Sequence, residues 1–170
     1  RFIHRLDKLT TGLVLFVKAP LLQPWFDAML QKREIHRTYL AICCGHSRVN
    51  QHFTYRQAIG RDRHESGKYR FSSTGKEALT KAIVLSRKGN YELIRCHPET
   101  GRTHQIRVHL AGNQHPIVND PLYGIPARPF LNMGLWAYQI VWKNPLTHAL
   151  CTATDFPNPD YAFFDSSSFH

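Results

Sequence analysis

Short apolar runs alternate with polar, turn-forming stretches along this chain, and only a few segments carry a helical stripe. Residues 13–18 form a continuous apolar run between Gly12 and Ala19-Pro20, which predicts a strand covered on both faces. Pro24 can open a helix, and Phe26, Met29, Leu30 and Arg33 then fall at i, i+3, i+4 and i+7, so three apolar side chains share one face. Residues 37–44 predict a strand from their Thr, Tyr and Ile content, and residues 53–56 a weaker one. Residues 78–87 and 91–97 predict two more. Lys88-Gly89-Asn90 between them is a hairpin signal, so the two pair antiparallel. Residues 135–143 and 150–154 predict the last strands. Between these elements, residues 59–71 form a polar, glycine-containing stretch that predicts a long loop, either functional or mobile. Residues 105–110 satisfy two templates. Polar and apolar residues alternate as in a half-buried strand, yet Ile106 and Leu110 are spaced i, i+4 as on a helix that Thr103 could cap.

Six or so strands with hairpin signals and two short helices predict an α+β domain with a mixed, mostly antiparallel sheet. A length of 170 residues with 42% hydrophobic and 12% aromatic content is enough for one core, so residues 1–170 are expected to form a single domain. No internal repeat is visible, and Ser166-Ser167-Ser168 has the composition of a frayed tail. Charge changes the picture more than composition does. Lys and Arg number 22 against 12 acidic residues, a formal net charge of +10, which suits a polyanion or an acidic membrane surface. No apolar run approaches the ~20 residues that span a bilayer, and no signal-peptide pattern is present, so the expectation is a soluble, cytoplasmic protein. The stretch after Lys143 has no Lys or Arg and carries Asp155, Asp160 and Asp165, making it a poor RNA face. Cys43, Cys44, Cys96 and Cys151 lack metal-binding spacing and are expected to be reduced core residues. With no His-Glu-x-x-His or Cys-x-x-Cys frame, no metal site is expected.

Two stretches carry candidate chemistry. The first, His4-Arg5-Leu6-Asp7-Lys8-Leu9-Thr10-Thr11-Gly12, sets one carboxylate among basic neighbours and then offers turn-forming hydroxyls and a glycine tolerant of positive φ. Alone it reads as a surface turn, since Asp followed by Thr and Gly is ordinary turn chemistry. The second is Thr100-Gly101-Arg102-Thr103-His104-Gln105-Ile106-Arg107-Val108-His109-Leu110-Ala111, followed by His115-Pro116-Ile117 and Asp120-Pro121-Leu122-Tyr123-Gly124. Between them stands Arg37-Thr38-Tyr39-Leu40-Ala41. In this order and spacing the chain resembles the RluA-type pseudouridine synthases, whose signatures read HRLD-x-x-T-S/T-G, basic-x-Tyr-x-Ala and G-R-T-H-Q-I-R-x-H-L-A. The resemblance covers nearly the whole chain, and it implies a helix over residues 105–110.

It also implies isomerisation of uridine to pseudouridine in structured RNA, ribosomal or transfer, without metal or organic cofactor. The expected partner is RNA, not DNA or a membrane. Asp7 matches the catalytic aspartate, acting as nucleophile or as a base toward the ribose. Arg107 matches a basic partner that orients it, and Tyr39 a tyrosine that packs on the target base. Arg5 matches the arginine that fills the space left when the target nucleotide turns out of the RNA. Lys8, Arg37, Arg102, His104 and Gln105 are the further RNA-contact candidates. In the 59–71 stretch, Arg61, Arg63, Lys68 and Arg70 with the interleaved Tyr69 would also suit RNA.

Departures from the pattern bear on these expectations. The family has Gly where this chain has Gln114 and Asn119, and a later His-Pro is here Asn144-Pro145. Asn tolerates left-handed backbone angles better than Gln does. The family also places strands before the first motif, whereas this chain starts three residues ahead of His4 without Met, so an N-terminally truncated catalytic domain with an exposed sheet edge is expected. Two other functions fit parts of the pattern: an RNA-binding module that has lost turnover, and a basic interaction protein without an RNA role.

Overall fold

A computed structural model of the chain describes residues 1–127 and 132–157. In chain order these form β1 (Thr11–Gly12), a 3₁₀ turn (Pro20–Leu22), α1 (Gln23–Gln31), β2 (His36–Cys44), β3 (His52–Tyr55), β4 (Ile59–Arg61) and β5 (Tyr69–Phe71). β6 (Thr80–Lys88), β7 (Tyr91–Pro98), α2 (Gln105–Gly112), β8 (Leu135–Lys143) and β9 (Leu150–Thr154) follow. The main sheet is ordered β1-β8-β2-β7-β6-β3, with β9 also paired to β8. Every pairing in it is antiparallel except β1 with β8, which matches the expected mixed, mostly antiparallel sheet.

Position in the sheet explains the apolar runs. β2 lies between β8 and β7 and is buried on both faces: Tyr39, Ala41 and Cys43 join one cluster with Ile106 and Leu110 of α2, while Leu40 and Ile42 join another with Leu93 and Val118. A strand covered twice can be apolar at consecutive positions. The stripe on α1 buries Phe26 and Met29 against Ile3, Val17, Ile35 and Ile140. The helix ends before Arg33, whose φ is 61°, so the i+7 position of the stripe lies outside it.

Two predicted elements differ. Residues 13–18 do not form a strand covered on both faces. Leu13, Leu15 and Val17 turn toward the α1 cluster while Val14 and Phe16 are exposed, because only one face meets protein. Residues 1–3 pair with 15–17 in a brief ladder, with Ile3 N donating to Leu15 O at 3.1 Å and Val17 N to Arg1 O at 2.9 Å. The exposed rings of Phe2 and Phe16 meet edge to face across it. Residues 59–71 are not a free loop either: β4 and β5 pair, and Ile59, Tyr69 and Phe71 pack with Val108 of α2. Only the intervening tip is loop. All four cysteines are free; Cys43 and Cys96 are buried, but Cys44 and Cys151 are half-exposed rather than core. Asp160, Asp165 and Ser166-Ser167-Ser168 lie outside the described residues. Among those described, no helix is long and apolar enough to cross a membrane.

The loop of residues 4–14 carries Asp7 and is held at three points. The 1–3/15–17 ladder closes its base. The His4 ring accepts the Leu15 N–H through Nε2 at 3.1 Å. At its far side Thr11 and Gly12 pair with Trp136 and Ala137 of β8. Gly12 has φ 102°, and a Cβ there would collide with the Ala137 backbone, so the strands approach this closely only with glycine. Gly12→Ala should therefore lower the unfolding free energy by about 2 kcal/mol, seen as a reduced urea midpoint; an unchanged midpoint would show that β1 docking does not depend on the glycine.

Burial, and then the Arg37 charge, push the His4 imidazole down to about 4, from 6.5. The folded state thus binds this proton less readily than the unfolded chain. His4 contributes fully above pH 6.5, and its contribution is lost as pH falls from 6.5 to about 4. His97 and His109, also lowered chiefly by burial, add slope of the same sign. Equilibrium unfolding across this window should show stability falling with acid, and less steeply in His4→Gln, which keeps an acceptor for the Leu15 N–H but does not titrate. Equal slopes would remove His4 from the pH dependence.

Candidate active site

Three charged side chains from three parts of the chain meet at one point. Arg107, in the first turn of α2, donates from Nε and Nη2 to the two oxygens of Asp120 at 2.7 and 2.8 Å. Its third contact runs from Nη1 to Asp7 Oδ2 at 3.2 Å. Arg107 is buried and the Asp120 side chain is 0% exposed, whereas that of Asp7 keeps 20%. Burial alone would disfavour charge on both Arg107 and Asp120; the fork between them reverses this, raising the arginine above its ordinary value and lowering the aspartate below it. Backbone N–H groups of Leu122 and Tyr123 also donate to Asp120, winding the 120–124 turn around the carboxylate. A planar cation bound this way has its Nη1 aimed in one direction, toward Asp7.

The sequence expectation for Arg107 and Asp7 thus corresponds to a direct contact. Tyr39 stands beside them, lining with Asp7, Arg5, His104 and Arg107 a cavity of about 130 Å³. A β-bulge aims it: Thr38 pairs with Gln139, but Tyr39 pairs with Ala137, so β8 carries one extra residue at this point. Desolvation raises the Tyr39 phenol above its ordinary value, keeping it neutral.

The RNA-contact candidates separate into groups. Arg5, Arg37 and Arg102 line both this cavity and a contiguous cleft of about 870 Å³. Arg33, His36 and Lys81 also line the cleft, where among the described residues Glu99 is the one acidic residue and is paired to Lys81 at 2.8 Å. The Arg37 Nε is buried, with no hydrogen-bond partner among the described residues. Lys8 is exposed beside Asp7 and lines neither cavity. Gln105 differs from the expectation. It is buried, accepts from the Thr100 hydroxyl and the Arg102 N–H, and donates to Leu79 O and Thr80 Oγ1. These bonds brace α2 against residues 79–80 and 100–102, and Gln105 also lines the smaller cavity. Arg61, Arg63 and Arg70 are exposed on the β4–β5 hairpin.

Thr103 does not cap α2. The N-cap position is His104, left-handed at φ 55° and without a side-chain cap. The two departures from glycine, Gln114 and Asn119, both adopt left-handed angles, φ 68° and 55°. Asn119 is supported by accepting the Ala127 N–H at 2.8 Å. Asp120 and Tyr123 are site residues to which the sequence assigned no role. Tyr123 lays its ring 5.0 Å from the Arg107 guanidinium carbon, and its hydroxyl sits 2.8 Å from His104 Nδ1. The only sequence signal for either was membership of the Asp-Pro-Leu-Tyr-Gly run. Among the described residues no group of three or more His, Cys, Asp or Glu side chains is arranged to hold a metal.

Known proteins share this arrangement of sequence and fold. A family model described as RNA pseudouridylate synthase matches residues 1–112. The uncharacterized RNA pseudouridine synthase YhcT of Bacillus subtilis is 38% identical over 155 residues, covering 90% of this chain and 51% of that protein. The ribosomal large subunit pseudouridine synthase D of Escherichia coli is 39% identical over 127 residues, 75% of this chain and 38% of its own length. The chain therefore spans about half, or less, of these curated relatives. The solved structure of human RNA pseudouridylate synthase domain containing 1 superposes with a TM-score of 0.82 at 26% identity, over 98% of this chain and 72% of that one.

Removing Arg107 should act on stability and on the site together. Arg107→Ala strands the buried Asp120 carboxylate, at a cost of about 3–5 kcal/mol, and adding Asp120→Asn should recover part of that in urea unfolding. Absence of any recovery would mean that the fork is not what stabilises the 120–124 turn.

Proposed function

As this chain belongs to the RNA pseudouridylate synthase family, we propose that it isomerises uridine in RNA to pseudouridine, with Asp7 as the group that attacks or deprotonates the sugar. The supporting observation is the single contact from Arg107 Nη1 to a carboxylate that is otherwise open to a small cavity. An oriented, partly exposed carboxylate beside a neutral tyrosine ring suits the reaction. The N-glycosidic bond of the target uridine breaks, the uracil turns while held, and a carbon–carbon bond forms from C1′ of the sugar to C5 of the base, whose proton leaves as N1 gains one.

Each neighbour has a task in this reading. Tyr39 offers a flat apolar face for the uracil while it is detached. Arg107, anchored by Asp120, fixes the direction of the Asp7 oxygens and stabilises their charge. Extruding a nucleotide costs a few kcal/mol in lost stacking, roughly, and Arg5, exposed at the cavity mouth, can occupy the gap. The adjoining cleft, lined by Arg33, Arg37 and Arg102, takes the flanking RNA backbone, so affinity should weaken steeply with salt. The relative named for the ribosomal large subunit favours ribosomal over transfer RNA as the substrate. The chemistry proceeds on these side chains without a metal or organic cofactor, in the cytoplasm.

Asp7→Asn tests the catalytic assignment. The amide is nearly isosteric and still accepts from Arg107, but it is neither a useful base nor a useful nucleophile. The variant should bind RNA within a few-fold of the parent and form no pseudouridine in a single-turnover assay. Conversion by the Asn variant at near the parental rate would exclude Asp7 from the mechanism. Arg107→Lys, which keeps the charge and loses the fork, should retain RNA affinity with a reduced rate; a tenfold affinity loss at unchanged rate would make Arg107 a binding residue.

A further inference from the structure

His104 is held with more care than an RNA-contact residue at a surface requires. It occupies the left-handed backbone region at φ 55°, uncommon for a residue other than glycine, and uses no side-chain atom to cap the helix it precedes. Its ring is wedged edge-on between Tyr69, 5.4 Å away at 73°, and Tyr123, 5.6 Å away at 75°. The Nδ1 atom lies 2.8 Å from the Tyr123 hydroxyl, and the ring lines the cavity that contains Asp7 and Tyr39.

The direction of that hydrogen bond follows from counting protons. The Tyr123 oxygen already accepts the Tyr69 backbone N–H at 2.7 Å, so its own proton remains to be donated, and His104 Nδ1 is the acceptor within reach. The opposite direction would bring two donors onto the phenol oxygen and leave its proton with no partner in the protein. Both groups are neutral near pH 7, because burial pushes the Tyr123 phenol up to about 12 and the His104 imidazole below its ordinary value. A neutral imidazole that accepts at Nδ1 carries its proton on Nε2, and among the described residues no group bonds that N–H.

We infer that His104 reads the target base: its Nε2–H, fixed by Tyr123, donates to the uracil carbonyl that distinguishes uracil from cytosine. The inference rests on the proposed isomerase function and names what selects its substrate. A neutral donor suits a neutral carbonyl better than a phosphate, for which the cleft already supplies Arg37 and Arg102. Cytosine presents an amino donor at the same position, and two opposed donors leave both unpaired. Tyr123 is then a positioning residue on two counts, as it also carries the Arg107 guanidinium on its ring.

Two measurements test this. Nitrogen-15 NMR of the imidazoles in the free protein should show His104 as the Nε2–H tautomer; the Nδ1–H tautomer overturns the inference whatever the enzyme does. The second compares His104→Asn, which tolerates the left-handed backbone and can reach Tyr123 but lacks the Nε2 donor, with His104→Gln, whose amide N–H can lie near the lost Nε2–H. On an RNA the parent converts, the Asn variant should lose about tenfold or more in single-turnover rate, with an unchanged salt slope of binding, and Gln should recover part. The parent should also prefer a target uridine over cytidine in RNA binding, and the Asn variant should lose that preference. Parental rate and base preference in the Asn variant, or a shallower salt slope, would sink the base-reading role, the latter by marking a phosphate contact. A parent that converts no uridine would refute the isomerase function itself, while the tautomer and the uridine preference would still decide His104.

Discussion

The fork of Arg107 on Asp120 is the interaction on which the site depends. Two buried charges are costly to desolvate, and this pair is tolerated because its geometry is bidentate and because backbone N–H groups of the 120–124 turn complete the carboxylate's shell. The guanidinium is held through Nε and Nη2, so its Nη1 has a defined direction. Asp7 comes to that donor from a loop 100 residues earlier in the chain, held by glycine-dependent docking to β8 and by the His4 ring. Asp120 is placed in part by its own local turn, whereas Asp7 meets Arg107 only through the tertiary fold.

A polar layer inside the domain carries this arrangement outward. Gln105 donates to Thr80, and Thr80 lies 2.9 Å from His109 Nδ1, whose Nε2 lies 2.9 Å from the Gln57 carbonyl. With His109 neutral by burial, its Nε2 donates to the carbonyl and its Nδ1 accepts from the threonine, so the whole series has one direction. Such a fully satisfied series ties α2 to β6 and to the segment before β4, and it accounts for the polar side chains on an otherwise buried helix. The β4–β5 hairpin closes the arrangement from the other side, with Tyr69 donating to the Tyr123 hydroxyl and Phe71 filling the space over Gly112. Basic side chains on the hairpin are thus one hydrogen bond from the ring that supports Arg107.

The fold was legible wherever burial and local pattern agreed. β2, β6, β7, β8 and β9, and the α1 stripe, follow from local composition, apolar periodicity and Lys88-Gly89-Asn90, and β2 is apolar at consecutive positions because core clusters cover both its faces. Pattern failed where packing was one-sided or supplied from afar. Residues 13–18 have the apolar content of a buried strand but meet protein on one face, and the hairpin of residues 59–71 is held by Val108, which no local window contains. The helical state of α2 was undecidable from periodicity, since its polar residues face inward and blur both templates; only resemblance selected it.

The sequence by itself determined the chemical inventory: a carboxylate among basic neighbours, a strand tyrosine, an arginine-bearing stretch and a strong positive charge. Those features are local, and local backbone and side-chain chemistry is what sequence encodes directly. The tertiary structure alone decided that Gln105 braces the interior, that Asp120 anchors Arg107, and that Tyr123 orients both Arg107 and His104. Each of these is a contact between residues brought together by the sheet and the 120–124 turn. The direction of a hydrogen bond or the partner of a buried charge depends on which groups share a desolvated space, and that is settled only when the chain has closed around them.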